Sequence, residues 1–345
     1  MAYTDIDKPS DYFNTVTYTG TGTTNSITGV GFQPDFVWTK SRSAVYDHFL
    51  TDVILRTTNK YLRCNTTNAE QTGVFSSLDS DGFTISGNSG NNTSGATEVS
   101  WNWLAGGTAV SNTDGSITSS VSANTTAGFS IVSWTGNGTN GASIGHGLGT
   151  TPSSWIIKQR TGTQVWLVYH TGLSATDNYL QLNGTNAEAT NAPNIWSADS
   201  TKLTFPTSYL GTNGSGSDYI GYFFAEKKGF SKFGKYTGNG SADGTFVYTG
   251  FKPAMVIVKS SSSAYSWYMF DNKRSGYNVD NDSLSPDLSS TEYDGSTYNF
   301  IDLLSNGFKM RETYAGRNGS GSTYIYLAFA ENPFTTSTGI PTTAR

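Results

Sequence analysis

Apolar and polar residues alternate along three widely spaced segments of this chain, EVSWNWLA, YIGYFFAE and YIYLAFAE. Val99, Trp101 and Trp103 fall on one side of the first. Ile220, Tyr222 and Phe224, then Ile325, Leu327 and Phe329, hold the same places in the others. A period of two, bounded by Gly, Asn and Ser clusters, predicts a strand. A second set, PDFVWTK, PSSWIIK and PAMVIVK, is headed by Pro34, Pro152 and Pro253 and closed by Lys40, Lys158 and Lys259. Proline fits at the head of a strand because that residue need not donate to a ladder. No stretch combines helical periodicity with caps; residues 65–71 are a candidate for one short helix.

These strands recur because the chain is written three times. YLRCNTTNAE, from Tyr61, and YLQLNGTNAE, from Tyr179, are identical at seven of ten positions and displaced by 118 residues. The same offset carries Pro34 to Pro152 and Lys40 to Lys158, and Pro253 and Lys259 follow 101 residues later. Each copy opens on an aromatic and a glycine turn at Tyr18, Trp134 or Tyr236. Each approaches its end through a polar glycine turn at Asn92, Asn213 or Asn318. A period near 100 exceeds solenoid units of about 20 to 50 residues and suits a sandwich of about seven short strands. The expected fold is all-β, three tandem homologous β-sandwich domains of jelly-roll type, each self-contained. Their spans are 11–107, 128–227 and 229–332. Residues 108–127 form a linker with a hairpin turn at Asp114-Gly115, and 1–10 and 333–345 are terminal arms. The second and third domains abut and should be mutually rigid.

Composition narrows the function. Charged residues make up 14% of the chain, against about 25% in ordinary soluble proteins, while aromatics at 14% supply core mass. A net charge of −5 without a basic stripe argues against a nucleic-acid partner. No apolar run is long enough to insert in a bilayer, and no leader pattern follows Met1, which implies synthesis in a cytoplasm. Cys64, the one cysteine, matches Leu182 and reads as a buried apolar residue.

Candidate chemistry is sparse. His48, His146 and His170 lack ligand spacing, and His48 aligns with Trp166 and Trp267. Glu70, Glu188 and Glu292 recur once per copy, but no second acid recurs with them as a glycosidase requires. They read as loop-pinning anchors, alongside Pro34, Pro152 and Pro253. The segment from Asp79 to Gly82 resembles part of a calcium loop but lacks the closing bidentate glutamate. The glycine motifs open no helix and so form no dinucleotide site. No catalytic residue, metal or cofactor is expected. Aromatic clusters at matched places, Trp166 with Tyr169 and Trp267 with Tyr268, are the candidates for stacking against a glycan.

The segments IDKPSDYFNTVTYTGTG, GFQPDFVWTKSR, YLRCNTTNAE and NGSGSTYIYLAFAENPF together resemble a group of repeat-built proteins of marine tailed bacteriophages. The resemblance runs from about Ile6 to Arg345. It implies concanavalin A-like or laminin G-like sandwiches and a place on the virion, in a tail fibre or on the head surface, and it brings no catalytic residues. One departure is the SSW that follows Pro152, where the other copies place an apolar residue two positions on. The expectation is a non-enzymatic virion surface protein, made in the host cytoplasm, for host attachment through a tail fibre or spike. Its partners would be other virion proteins, further copies of itself (a trimer as working assumption) and a host surface glycan. A capsid decoration protein is the alternative, and a glycan hydrolase a remote third. The terminal arms are expected to dock on a neighbouring subunit.

Overall fold

In every copy the proline-to-lysine strand pairs antiparallel with the closing strand, in one conserved register. Trp38 lies opposite Trp101, Ile156 opposite Tyr222, and Ile257 opposite Leu327. The computed structural model describes residues 3–189, 194–275, 278, 280, 282–295 and 299–342. Around this pair the first copy builds a sheet in the order Phe13–Thr19, Thr97–Trp103, Phe36–Ser41, Phe49–Asp52, Lys60–Arg63, Gln71–Thr72. The second uses Phe129–Thr135, Asp218–Phe224, Ser154–Gln159, Leu167–His170 and Leu180–Gln181 in the same order. The third uses Ser231–Thr237, Thr323–Pro333, Phe251–Ser260 and Trp267–Asp271. A smaller three-stranded sheet belongs to each copy: Asn25–Thr28 with Gly82–Ile85 and Phe75–Asp79; Ala142–Gly145 with Lys202–Phe205 and Ser197–Ala198; Phe246–Tyr248 with Gly307–Met310 and Ile301–Leu304. The chain is all-β, as the alternation predicts.

Alternate residues of each large sheet go to two different cores. Val37, Phe49 and Tyr61 face the first copy's small sheet and pack with Ile27, Phe75, Phe83 and Ile85. Their strand neighbours Phe36, Trp38, Leu50 and Leu62 point the other way. There they join Val99, Trp101 and Trp103 of the first copy, Ile220, Tyr222 and Phe224 of the second, and Ile325, Leu327 and Phe329 of the third in one cluster. The three copies therefore form a ring around a shared centre. Equivalent rings meet there, Trp103 against Phe329 at 5.6 Å and Phe224 against Phe329 at 5.8 Å between centroids. The expectation of self-contained sandwiches is corrected in this respect: each copy keeps a sandwich core but buries its second apolar face only against the other two. A sheet covered on both faces reads as a nearly continuous apolar run; YIGYFF and YIYLAFA do, whereas VSWNW puts buried Ser100 and Asn102 on its other face.

The recurring glycine turns are structural clamps. Asn92, Asn213 and Asn318 are wholly buried. Each accepts through its amide oxygen from a backbone N–H of the opening turn, at Thr21, Asn137 and Asn239, over 3.0 to 3.1 Å. At Gly20 a Cβ would come within 2.1 Å of the Thr93 carbonyl oxygen, so only glycine allows the closing turn this close.

Two local expectations need adjustment. Residues 65–70 form a turn and a loop and Gln71 begins a strand, because Asn65 uses its side chain on the His48 N–H and Asp47. The described helices are single turns, at Pro9–Asp11, Val53–Arg56 and Leu210–Asn213. Pro34 and Pro152 stand just before their strands, whereas Pro253 lies inside Phe251–Ser260 at a bulge, the other place a sheet accepts proline. The linker forms a hairpin, Val110–Asn112 with Ser119–Asn124, which extends the second copy's large sheet. Both arms, as far as described, make contacts with their own chain. Thr4 and Asp5 bond the Lys228 carbonyl at 2.8 and 2.9 Å, Ile6 enters the central core, and Asp7 accepts from Ser337.

Candidate functional site

Three sets of equivalent residues join copy to copy; the first reaches the preceding copy around the ring, and the other two reach the following one. The first is the aligned trio His48, Trp166 and Trp267. Trp166 donates its indole N–H to the carbonyls of Arg63 at 3.1 Å and Thr66 at 3.2 Å in the first copy. Trp267 donates to Gln181, the match of Arg63 in the second copy, at 2.9 Å. His48 closes the ring, its Nε2 3.0 Å from the Ser285 carbonyl oxygen in the third copy. Because Trp38 Nε1–H donates to His48 Nδ1 at 2.9 Å, the imidazole proton sits on Nε2 and points at Ser285. Burial holds this histidine well below its ordinary pKa.

The recurring glutamates are the second set. Glu70 donates its N–H to the Arg160 carbonyl at 2.8 Å, and its carboxylate accepts from Arg160 Nε at 2.7 Å. Glu292 repeats both contacts with Arg42, at 2.8 Å each. Glu188 keeps the backbone half, to the Ser261 carbonyl at 2.9 Å. With serine in place of arginine, its carboxylate turns instead to the Ser174 N–H at 3.2 Å.

Asp52, His170 and Asp271 form a third set, which the sequence reading missed. Each caps the backbone N–H two residues on and reaches the next copy. Asp52 accepts from Tyr222 Oη at 2.8 Å, Asp271 from Trp101 Nε1 at 3.0 Å, and His170 Nε2 donates to the Tyr326 carbonyl at 2.9 Å. The partner positions Tyr222 and Trp101 carry donors. The match in the third copy, Leu327, has none, so a histidine there donates to the neighbouring carbonyl instead. Extending the offset of 118 from Asp52 to His170 would have exposed the pairing. The difference in residue type concealed it.

The seam from third to first copy is not crossed by the chain, and it holds the densest charge. Arg274, fully buried, meets Asp271 at 2.6 Å and Glu292 at 2.7 Å, while Arg42 holds the other oxygen of Glu292 at 2.7 Å. Lys40, Lys158 and Lys259 are buried too, each donating to the carbonyl of the following residue at 2.6 to 2.7 Å. Desolvation brings each down to about 8.

These placements correct the aromatic expectation. Trp166 and Trp267 are 0% and 1% exposed, so neither has a face to offer a sugar. Tyr169 stacks on Trp155 with centroids 3.9 Å apart, and Arg317 lies 4.4 Å over the Tyr268 ring. Cys64 is buried and donates to the Pro286 carbonyl at 3.2 Å, another third-to-first contact. Asp81 accepts from the N–H groups of Gly29 at 3.1 Å and Gly31 at 2.6 Å. Among the described residues no group of three metal-ligating side chains assembles.

A cleft of about 470 Å³ lies where the linker hairpin meets the first copy, with Gln33, Asp35, Arg56, Ser77, Thr108 and Ser120 among its walls. The size falls within the range of small-ligand pockets.

No curated protein and no solved structure matches the chain. A family model, described as a domain of unknown function, DUF7483, runs through all three copies over residues 8–333. The chain belongs to that family.

Proposed function

We propose that this chain is a non-enzymatic surface protein of a tailed-phage virion, a tail-fibre or spike component that attaches the particle to its host through weak glycan contacts. The observation that carries the reading is where the repeated residues go. The glutamates that recur once per copy, and the aligned trio His48, Trp166 and Trp267, pack the seams of one closed ring. Triplication here yields a rigid body with short connections, which suits a particle component exposed to the medium. The sequence resemblance to phage repeat proteins points the same way. Because the matched tryptophans are buried, avidity would come from several chains on one particle rather than from three sites within one.

A head-decoration role is the second reading, and the internal ring favours it: one chain offering three related outer faces suits a threefold-symmetric neighbour. Immunogold labelling of purified particles separates the two. Label confined to tail tips is the expected result; hundreds of copies over the head would replace attachment by decoration. Release of reducing ends from host polysaccharide would instead revive the hydrolase.

A further inference from the structure

The cleft at the linker hairpin holds an arginine whose circumstances differ from those of its fellows. The other six described arginines each pair with a carboxylate. Arg56 bonds the Asn59 side chain at 2.8 Å and the carbonyls of Phe75 and Ser76, and no carboxylate. A guanidinium carries five N–H donors in a fixed fork, so two remain for a ligand. Its charge is half-buried and uncompensated, and burial alone lowers its proton affinity. A cation kept without a counterion at a cleft wall is a site for an acid group.

The other walls define what carries that acid. Gln33, Ser77, Thr108 and Ser120 supply amide and hydroxyl groups, and Asp35 adds a carboxylate. One oxygen of Asp35 already accepts from the N–H groups of Ala105 at 2.7 Å and Gly107 at 3.0 Å. A bare anion would meet the charge of Asp35 as well as that of Arg56. A sugar acid presents hydroxyls to the first and its acid group to the second. The site occurs once per chain: Ser174 and Ser275 match Arg56, Ser153 and Ala254 match Asp35, and only the second copy is preceded by the hairpin.

We infer that this cleft is a subsite for one acidic sugar residue of a surface polysaccharide, a hexuronate or a sulfated hexose, with Arg56 holding the acid group. The inference rests on the attachment reading and gives it a ligand class.

The test is calorimetric titration of the full chain with oligogalacturonate, a sulfated galactan oligosaccharide, the neutral galactan of equal length and inorganic sulfate. One acidic oligosaccharide should bind, weakening as salt is raised, with the neutral one about tenfold weaker or worse. Which acidic probe binds tells carboxylate from sulfate ester. Arg56→Gln should lose about ten- to a hundredfold, the ratio that a charge-assisted hydrogen bond sets. Thr108→Trp fills the mouth from an exposed position, leaves Arg56 in place, and should abolish binding at unchanged melting temperature. Equal affinity for the neutral oligosaccharide, equal affinity for sulfate alone, or full binding in both variants would overturn the subsite. In the first and last of these cases glycan attachment survives through another surface. Failure of every oligosaccharide to bind wild type would remove the subsite and the glycan component of attachment together, leaving placement on the particle to the labelling.

Discussion

At the scale of single residues, the seam tryptophans show what recurrence means in a triplicated chain. Trp, Trp and His occupy one position, and the property they share is a ring N–H rather than a flat face. Read as aromatics they suggested stacking; read as donors they predict a buried bond to a carbonyl of the neighbouring copy. Trp166→Phe keeps the ring and removes the donor, leaving the Arg63 and Thr66 carbonyls short of a partner. The expected loss is about 1–3 kcal/mol, read from urea denaturation, with glycan binding unchanged. His170 yields a pH prediction. Burial lowers its pKa from the ordinary value to about 4, so between pH 6.5 and 4 the unfolded chain binds the extra proton and the folded chain does not. Its contribution is fully present above about pH 6.5 and drains away as pH falls toward 4, by at most about 3 kcal/mol. His170→Asn should flatten the stability profile over that window. An unchanged slope would show that the ring is not held neutral.

Among the elements, the two strand types and their shared register were legible because their periodicity is strong and repeats three times. What periodicity could not tell is which core each face enters. Val37 and Trp38 are equally apolar, yet one belongs to its own sandwich and the other to the common centre. Residues 65–70 do not form the helix their sequence suggests, because Asn65 and Glu70 direct their hydrogen bonds away from the segment. The seams between elements differ in strength despite a common plan. Glu292 joins Arg42 and fully buried Arg274, whereas Glu188 meets only a serine and an asparagine on a partly exposed loop. Glu292→Gln should therefore cost about 3–5 kcal/mol, the scale of a buried pair broken from one side. Glu188→Gln should cost less than about 1 kcal/mol. Paired denaturation curves decide the order, and equal costs would mean that Arg274 finds another counter-charge.

For the whole molecule, the shared centre decides how the chain unfolds. Removing any one copy would expose the inward faces of the other two, including Trp103, Phe224 and Phe329. Burying such a side chain contributes about 1.5–3 kcal/mol, so no copy can separate without losing many of these contributions at once. Calorimetry should show one transition for the chain, where independent sandwiches would give up to three. The ring also predicts tolerance of a new chain order. The third-to-first seam has the same three classes of contact as the covalently linked seams, and the arms already lie together through Asp7 and Ser337. A permutant opened between residues 227 and 228, with the original ends joined by a short Gly/Ser linker, should fold to the same ring. The opened site would lose the Thr4 and Asp5 contacts with Lys228, so a modest drop in melting temperature is expected, with the single transition retained. Splitting of the transition in the permutant would show that the peptide link between second and third copies, rather than the common core, makes the three act as one.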